Sequence, residues 1–343
     1  MNIQKKLSKL GIEKIEELNY KDINYLAHYV SNVLVSTFPI LQNKYNEMLA
    51  KILNCKMYYA KTQDGIAQVN YILDDDSIYI DENINIYEPN DEIFHEVIHY
   101  LQVARNKNGK IKQMGLCSFG DFSIKGLGLD EAAVQYMSSK MMKNERENVN
   151  VYGIKVSTIS PNKYPLMTNL MEQLIYLIGE DVVIQETLGI NDKFEDEFYN
   201  TFEEKSNELI KNFDKMFDVK NELLTKASHQ EREIYEDEVS QFFLSIQNVM
   251  MVKYFDNIVP RLTTIEEIDF YIEKFLNYKK HIGIEEKNRF LLSDFYENYK
   301  EEIMKKFDKQ LMKISKDKGK NTLSKYNNKL GVFLRKIISQ FWN

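Results

Sequence analysis

Turn-forming residues are scarce along this chain, and their scarcity limits the folds open to it. The 343 residues include only 13 Gly and 5 Pro, about 5% of the chain against a usual share of about 12%. Folds with many strands need a turn after each strand, so a many-stranded sandwich or barrel is not expected. With 43% hydrophobic and 28% charged residues, the composition is ordinary for a globular protein. We therefore expect an α+β fold that is predominantly helical.

Hydrophobic spacing divides the chain into three segments. Residues 1–56 have the spacing of helices and are expected to be a helical segment. Residues 57–190 are expected to form the core domain, a small sheet followed by helices. Within it, alternating stretches and turn signals over 57–87 predict a small antiparallel sheet of three or four strands, the last one at 83–87. Long amphipathic patterns over 191–343 predict a helical C-terminal region with a basic tail.

Two helices are predicted after this sheet, the first from residue 91 to about residue 105. Asn90 suits its N-cap, and the carboxylates of Asp91 and Glu92 fall in the first turn, where the helix dipole favours negative charge. A loop rich in glycine separates this helix from the second, which is predicted over residues 129–143. The first helix is expected to pack its apolar stripe against the sheet.

The first of these helices carries the sequence HEVIH. His95 and His99 share one helix face, because residues four apart lie one turn apart, so both imidazoles can face one metal ion. Glu96 lies beside them, close enough to hold a water without ligating the metal. Two imidazoles, an open coordination position and a base are typical of catalytic zinc sites. In a chain with five histidines, this pattern is expected by chance in well under ~1% of cases.

A zinc site of this kind needs a third protein ligand, and no other histidine is near the motif in sequence. A metzincin would continue with glycine and histidine where this chain has Gln102 and Arg105, which excludes that class. A carboxylate is therefore expected, with Glu131 the main candidate and Asp130 the alternative. Gln135 follows Glu131 by one turn and could accept a hydrogen bond from a ligand imidazole.

HEVIH followed by a helix that begins GLDEAAVQY resembles the gluzincin class of zinc metallopeptidases, the thermolysin-like group. The resemblance covers about residues 57–145. It implies one zinc ion (Zn2+) held by His95, His99 and Glu131. It also implies that Glu96 is the general base of peptide-bond hydrolysis by a metal-activated water, and that a peptide or protein substrate lies in a cleft beside an edge strand. A helical lobe would follow the second ligand helix.

Two questions about the site stay open at this level. Members of the family stabilise the oxyanion with a tyrosine or a histidine, and four residues could do so here: Tyr136, Tyr152, Tyr164 and His229. The long acidic helical stretch over 190–303 also suits a binding or scaffold protein with a structural or vestigial metal site. An exported effector or toxin protease would carry the same motif.

Charge and cysteine content bear on partners and compartment. The net charge of -7 argues against a general nucleic-acid binder. The tail Met304–Asn343 has a net charge of +9 and could contact an anionic membrane, but a solvated helical face is the simpler interpretation. Cys55 and Cys117 are too few for a disulfide framework and suit a reducing compartment. The first residues lack the apolar stretch of a signal peptide, so a cytoplasmic location is expected.

Overall fold

A computed structural model describes residues 3–119, 124–191, 193–225, 228–285 and 289–317 of the chain. Helices dominate these residues and the strands form small sheets, which confirms a mostly helical α+β protein. The helices are α1 (Ile3–Lys9), α2 (Tyr20–Thr37), α3 (Tyr45–Leu53), α4 (Asp91–Gln102), α5 (Leu127–Met141), α6 (Pro165–Ile178), α7 (Glu180–Thr187), α8 (Lys193–Phe202), α9 (Ser206–Thr225), α10 (His229–Ile258), α11 (Ile265–Tyr278) and α12 (Arg289–Asp317). The strands are β1 (Ile12–Glu17), β2 (Lys56–Thr62), β3 (Val69–Ile72), β4 (Ser77–Asp81), β5 (Val103–Arg105), β6 (Ile111–Met114), β7 (Ser118–Phe119), β8 (Ile124–Lys125), β9 (Glu147–Val151), β10 (Ile154–Thr158) and β11 (Ile284–Glu285).

The main sheet is mixed, so the predicted all-antiparallel arrangement is wrong. Its strand order is β1-β2-β4-β3. Strands β2 and β4 run parallel, with Lys56 opposite Ser77 and Ala60 opposite Asp81. All five residues of β4 are buried, and a strand that is buried on both faces belongs in the interior of a sheet. Strand β3 pairs with β4 only and is left at the edge.

Strand β1 is a second departure, because the sequence predicts helices throughout residues 1–56. It pairs antiparallel with β2, from Ile12 opposite Thr62 to Glu17 opposite Tyr58. Ile12 is its one buried residue, so the strand has almost no apolar alternation that a sequence pattern could reveal. Backbone pairing with a strand some 45 residues away holds it in place.

The predicted strand at 83–87 is a series of turns instead. Side chains bond the local backbone there and compete with strand pairing. Asp81 accepts a hydrogen bond from the backbone N–H of Asn83 at 3.0 Å, and Asn85 accepts one from that of Tyr87 at 3.1 Å. The sequence predicts β-structure here from alternation alone, and the turn chemistry of the Asp and Asn side chains overrides it.

Helix α4, which carries HEVIH, begins as predicted and ends earlier. The Asn90 side chain caps it by accepting a hydrogen bond from the N–H of Ile93 at 3.0 Å. The helix ends at Gln102, before the predicted end near residue 105, because Val103–Arg105 forms a strand that pairs with β6. One side of α4 packs on β3 and β4 and another on α5.

Helix α5, which carries Glu131, is almost entirely buried and is fixed by α9. Asp214 of α9 accepts hydrogen bonds from the N–H groups of Gly126 and Gly128, both at 2.9 Å, and so caps the start of α5. Gly128 permits this close approach, because a Cβ there would lie 2.2 Å from the carbonyl oxygen of Phe213. The two helices therefore have one defined register against each other.

Two compact units make up the chain. The first comprises Met1–Met250 and His281–Lys287 and contains the main sheet with helices α1 to α9. The second comprises Met251–Lys280 and, among the described residues after it, 289–317. Within the second unit, the carboxylate of Asp256 accepts a hydrogen bond from Tyr299 at 2.9 Å and pairs with Lys306 at 2.7 Å. These polar contacts tie helix α12 to the end of α10.

The functional division of the chain into 1–56, 57–190 and 191–343 stays a prediction. The basic tail predicted over Met304–Asn343 falls largely beyond the part that the structure describes. Its first residues, up to Asp317, belong to α12, and residues 318–343 lie outside the described residues.

Candidate metal centre

His95, His99 and Glu131 meet where α4 and α5 pack together. The two histidines lie one turn apart on α4, and Glu131 reaches both of them from the first turns of α5. One potential ligand atom from each residue lies within 4.8 Å of the other two, so the group could hold a metal ion. His95 is buried and the other two side chains are partly exposed. The three residues that the sequence predicts as ligands therefore lie together in one cluster.

The spacing of these ligand atoms fits a small tetrahedral ion. The Nε2 atoms of His95 and His99 are 3.0 Å apart, and each lies 3.4 Å from an oxygen of Glu131. Ligands about 2.0–2.1 Å from a tetrahedral zinc ion lie about 3.3 Å from one another. In addition, Oε2 of Glu131 is buried without a hydrogen-bond partner among the described residues. A buried anionic oxygen of that kind suits a cation.

Gln135 orients the first imidazole, as the sequence predicts. Its Oε1 lies 3.1 Å from Nδ1 of His95. Its amide nitrogen lies within 3.2 Å of acceptors on Asp91, Ser139 and Ser160, which fixes the oxygen end towards the ring. Nδ1 then carries the hydrogen, so the lone pair of Nε2 faces the metal position.

Asp130, the alternative third ligand, lies behind His99. Its Oδ2 is 3.8 Å from Nδ1 of His99, the nitrogen on the side of the ring away from the ligand cluster. Gln102 donates to the same oxygen at 2.6 Å, and the N–H of Leu116 donates to Oδ1 at 2.9 Å. Because both oxygens are engaged there, the geometry favours Glu131 as the third ligand.

Glu96 reaches the site from α4 without joining the ligand group. Its Oε2 accepts a hydrogen bond from the N–H of Tyr71 at 2.9 Å, so edge strand β3 holds one end of the carboxylate. Oε1 has no hydrogen-bond partner among the described residues. Burial raises the pKa of Glu96, and the nearby imidazoles of His95 and His99 oppose the rise. A raised pKa suits a carboxylate that must accept a proton and return it near neutral pH.

The charges of the cluster are strongly coupled. Burial by itself lowers the pKa of His99, but the carboxylate of Glu131, with smaller help from Glu96 and Asp130, raises it to about 9. Burial raises the pKa of Glu131, and the two imidazoles outweigh burial and hold that pKa well below its usual range. Three carboxylates around two imidazoles make this point attractive to positive charge.

A cleft of about 570 Å³ opens beside His95 and Glu96. Tyr164 lines it, with its ring 6.4 Å from that of His95 and only 13° from parallel. The backbone of Tyr164 is left-handed, at φ 48° and ψ 42°, a conformation that costs on the order of 1–3 kcal/mol for such a residue and tends to occur at functional sites. Burial, with Glu131 and Glu96 nearby, raises the pKa of Tyr164, so its hydroxyl stays a donor.

The other two tyrosines that could stabilise the oxyanion do not share the position of Tyr164 against His95. The hydroxyl of Tyr136 is engaged with Glu180 at 2.5 Å. Tyr152 lines the same cleft. The side chain of His229 lies outside the described residues. Stacking on a ligand ring singles out Tyr164, a distinction that no sequence pattern among 22 tyrosines could make.

Lys220 also lines this cleft, and sequence reasoning missed it. It is one of 45 Lys and Arg residues and lies within a long amphipathic helix, so nothing in the local pattern marks it. Helix α9 brings it to the site through the contact with α5 described above. Only the packing of two helices distant in sequence could reveal it.

Comparisons with known proteins give this chain no relative: no family model, no curated protein and no solved structure matches it. The case for its function therefore depends on the site itself. Among the helices of the described ranges, none is both long and apolar enough to cross a membrane.

Proposed function

We propose that the protein is a zinc-dependent peptidase of the gluzincin type. The spacing of the three ligand atoms on two helices carries the proposal, together with the non-ligating Glu96 beside them. A structural zinc site fills its fourth position with another protein ligand and needs no base. The open cleft next to His95 therefore favours a catalytic site over a scaffold protein with a structural metal.

The donor set favours zinc over the hard cations. Calcium and magnesium take oxygen ligands, whereas two imidazoles with one carboxylate suit zinc and related transition metals. A bound zinc ion would supply Lewis-acid polarisation of the scissile carbonyl and would lower the pKa of a water towards about 7. His95, His99 and Glu131 would hold that ion.

The remaining steps belong to side chains. Glu96 accepts a proton from the attacking water through its unbonded Oε1 while Tyr71 holds the other oxygen. It then returns the proton to the amine nitrogen as the peptide bond breaks. The hydroxyl of Tyr164 donates a hydrogen bond to the carbonyl oxygen as that oxygen gains negative charge. The cleft beside His95 would hold the peptide.

Metal content is the first test of this proposal. We expect near-stoichiometric zinc by mass spectrometry in the purified wild-type protein and its loss in Glu131→Ala. Asp130→Asn should keep its zinc, because Asp130 approaches His99 at Nδ1, at 3.8 Å, and does not belong to the group of residues that could hold the ion. Zinc in Glu131→Ala together with its loss in Asp130→Asn would reverse the ligand assignment. No zinc in any of the three, even after zinc is added, would overturn the proposal.

Hydrolysis is the second test, with Glu96→Gln as the decisive variant. It should keep its zinc and lose about 10²–10⁴-fold in kcat, because the amide cannot accept the proton. The matched control is Glu88→Gln, since Glu88 is an exposed carboxylate just before α4 and is not among the residues that line the cleft. That variant should stay within a few-fold of the wild-type kcat. Full activity in Glu96→Gln would refute the mechanism.

A further inference from the structure

Lys220 places a positive charge in the cleft of the proposed active site. Its Nζ lies 3.5 Å from the centre of the Tyr164 ring, and that ring lies 6.4 Å from the ring of His95. The ammonium is therefore within about 10 Å of the imidazole of His95. The same cleft is lined by Glu96, the proposed base.

No carboxylate of the described residues forms an ion pair with this ammonium, although the charge of Glu131 acts on it from a longer distance. Nζ of Lys220 lies against the face of the Tyr164 ring. Lys163, which lines the same cleft, is different, because it pairs with Glu92 at 3.0 Å and Asp91 at 3.6 Å. A partly buried charge without a counter-ion is costly, and a cation–π contact offsets only part of that cost.

The solvation of Lys220 agrees with this description. Burial lowers its pKa to about 8, with Glu131 opposing the change and Lys163 adding to it. At neutral pH Lys220 is still protonated and positively charged in most of the molecules. A ligand carboxylate in contact with Nζ would compensate for the hydration that the ammonium has lost and would raise the pKa of Lys220 again.

The position of Lys220 is built into the fold. Helix α9 is held on α5 by Asp214, which caps α5 through Gly126 and Gly128. The absent side chain of Gly128 lets the two backbones touch. The contact that positions Lys220 therefore also positions the helix that carries Glu131.

We propose that Lys220 binds a carboxylate of the substrate, so that the preferred peptides carry this group close to the scissile bond. This inference rests on the proposed peptidase function for its substrate class. An extended peptide advances about 3.3–3.6 Å per residue, so a separation of at most about 10 Å covers no more than about three residues. The carboxylate comes either from an Asp or Glu side chain within that distance or from the C-terminus of a short peptide.

Matched peptides separate these two sources. One series exchanges Glu for Gln at each of the three positions on either side of the cleaved bond, and the other exchanges a free C-terminus for a carboxamide. We expect kcat/KM to fall about tenfold or more when the recognised carboxylate is neutralised, as for loss of a charge-assisted hydrogen bond. A loss confined to the Glu series assigns a side chain, and a loss confined to the carboxamide series assigns the terminus.

Lys220→Met removes the charge and keeps most of the side-chain length. It should abolish the preference for the carboxylate peptides, so that kcat/KM becomes equal within about twofold for the charged and neutral members of each pair. Lys211→Met is the matched control, because Lys211 is an exposed lysine of the same helix, and it should keep the preference. Equal effects of Lys220→Met on charged and neutral peptides, with an unchanged melting temperature, would overturn the inference.

Binding measurements distinguish failure of this inference from failure of the peptidase proposal. The same fluorescently labelled peptides are titrated into Glu96→Gln and into Glu96→Gln combined with Lys220→Met, with anisotropy as the readout. Carboxylate-dependent binding that is lost with Lys220→Met, without any cleavage by the wild type, would sustain the site and refute peptidase activity. Cleavage without a preference for the carboxylate would sustain peptidase activity and refute the role of Lys220. If no peptide is bound and none is cleaved, both proposals are overturned.

Discussion

Zinc should compete with a proton for this site, and the competition makes metal affinity depend steeply on pH. Burial alone would lower the pKa of His99, but Glu131 and its neighbouring carboxylates raise it from 6.5 to about 9. At pH 7 the ring without metal is therefore about 99% protonated. Zinc takes only neutral imidazole as a ligand. Each zinc ion that binds at pH 7 must displace this proton.

The size of the effect follows from the two pH units between 7 and 9. Apparent zinc affinity follows the neutral fraction of the ring, which rises from about 1% at pH 7 to about one half at pH 9. The affinity should therefore rise about 50-fold in all, which corresponds to about 2 kcal/mol. Above pH 9 the dependence should flatten. Competition with a chromophoric chelator at pH 7, 8 and 9 measures the affinity. Calorimetry in two buffers of different protonation enthalpy counts the released protons, and we expect about one per zinc at pH 7.

The stability of the zinc-free protein should fall as the pH rises, whereas zinc affinity should increase. The pKa of His99 in the folded protein, about 9, is above its unfolded value of 6.5. The stabilisation that this proton provides is complete below pH 6.5 and is lost as the pH rises through 9, and its size is on the order of 3 kcal/mol. The chelated protein should therefore unfold at a lower temperature at pH 9 than at pH 6.5. The zinc-loaded protein should lack this loss.

Two results would refute this reasoning. Zinc affinity that is equal at pH 7 and pH 9 would mean that His99 is already neutral, and zero proton release at pH 7 would mean the same. A direct check is NMR titration of the His99 ring in the chelated protein. The substitution Glu131→Gln should lower the pKa of His99, because it removes the main carboxylate that raises this pKa and leaves burial as the dominant effect.

Three further variants test the supporting residues. Gln135→Met removes the acceptor of His95 and should weaken zinc affinity about 10–100-fold in the same chelator assay. Tyr164→Phe removes the proposed oxyanion donor and should lower kcat about 10²–10³-fold while zinc content is unchanged; an unaltered kcat would exclude this role. Gly128→Ala forces a methyl group against the backbone of Phe213 and should destabilise the fold by about 1–3 kcal/mol in urea unfolding.

Much of the candidate site is local in sequence and could be predicted. His95 and His99 share a face because of the helical repeat, and Asn90 caps their helix through a side chain three residues from its partner. The contact of Gln135 with His95 follows from the same repeat once Glu131 is placed on α5. Spacing along one helix is enough for the first two, and the third also needs α4 and α5 to pack together.

The order of the strands and the lining of the cleft depended on contacts between distant segments. Strand β4 enters the sheet beside β2 because all of its side chains are buried, and β1 is added by backbone pairing that leaves no pattern in its own residues. Lys220 lines the cleft because α9 packs on α5, a contact that includes the hydrogen bonds of Asp214 to the start of α5. The sequence by itself determined the helix that carries HEVIH and the ligand pair on it, since these follow from local periodicity. The tertiary structure decided the rest, since burial and backbone pairing between remote segments have no local signal.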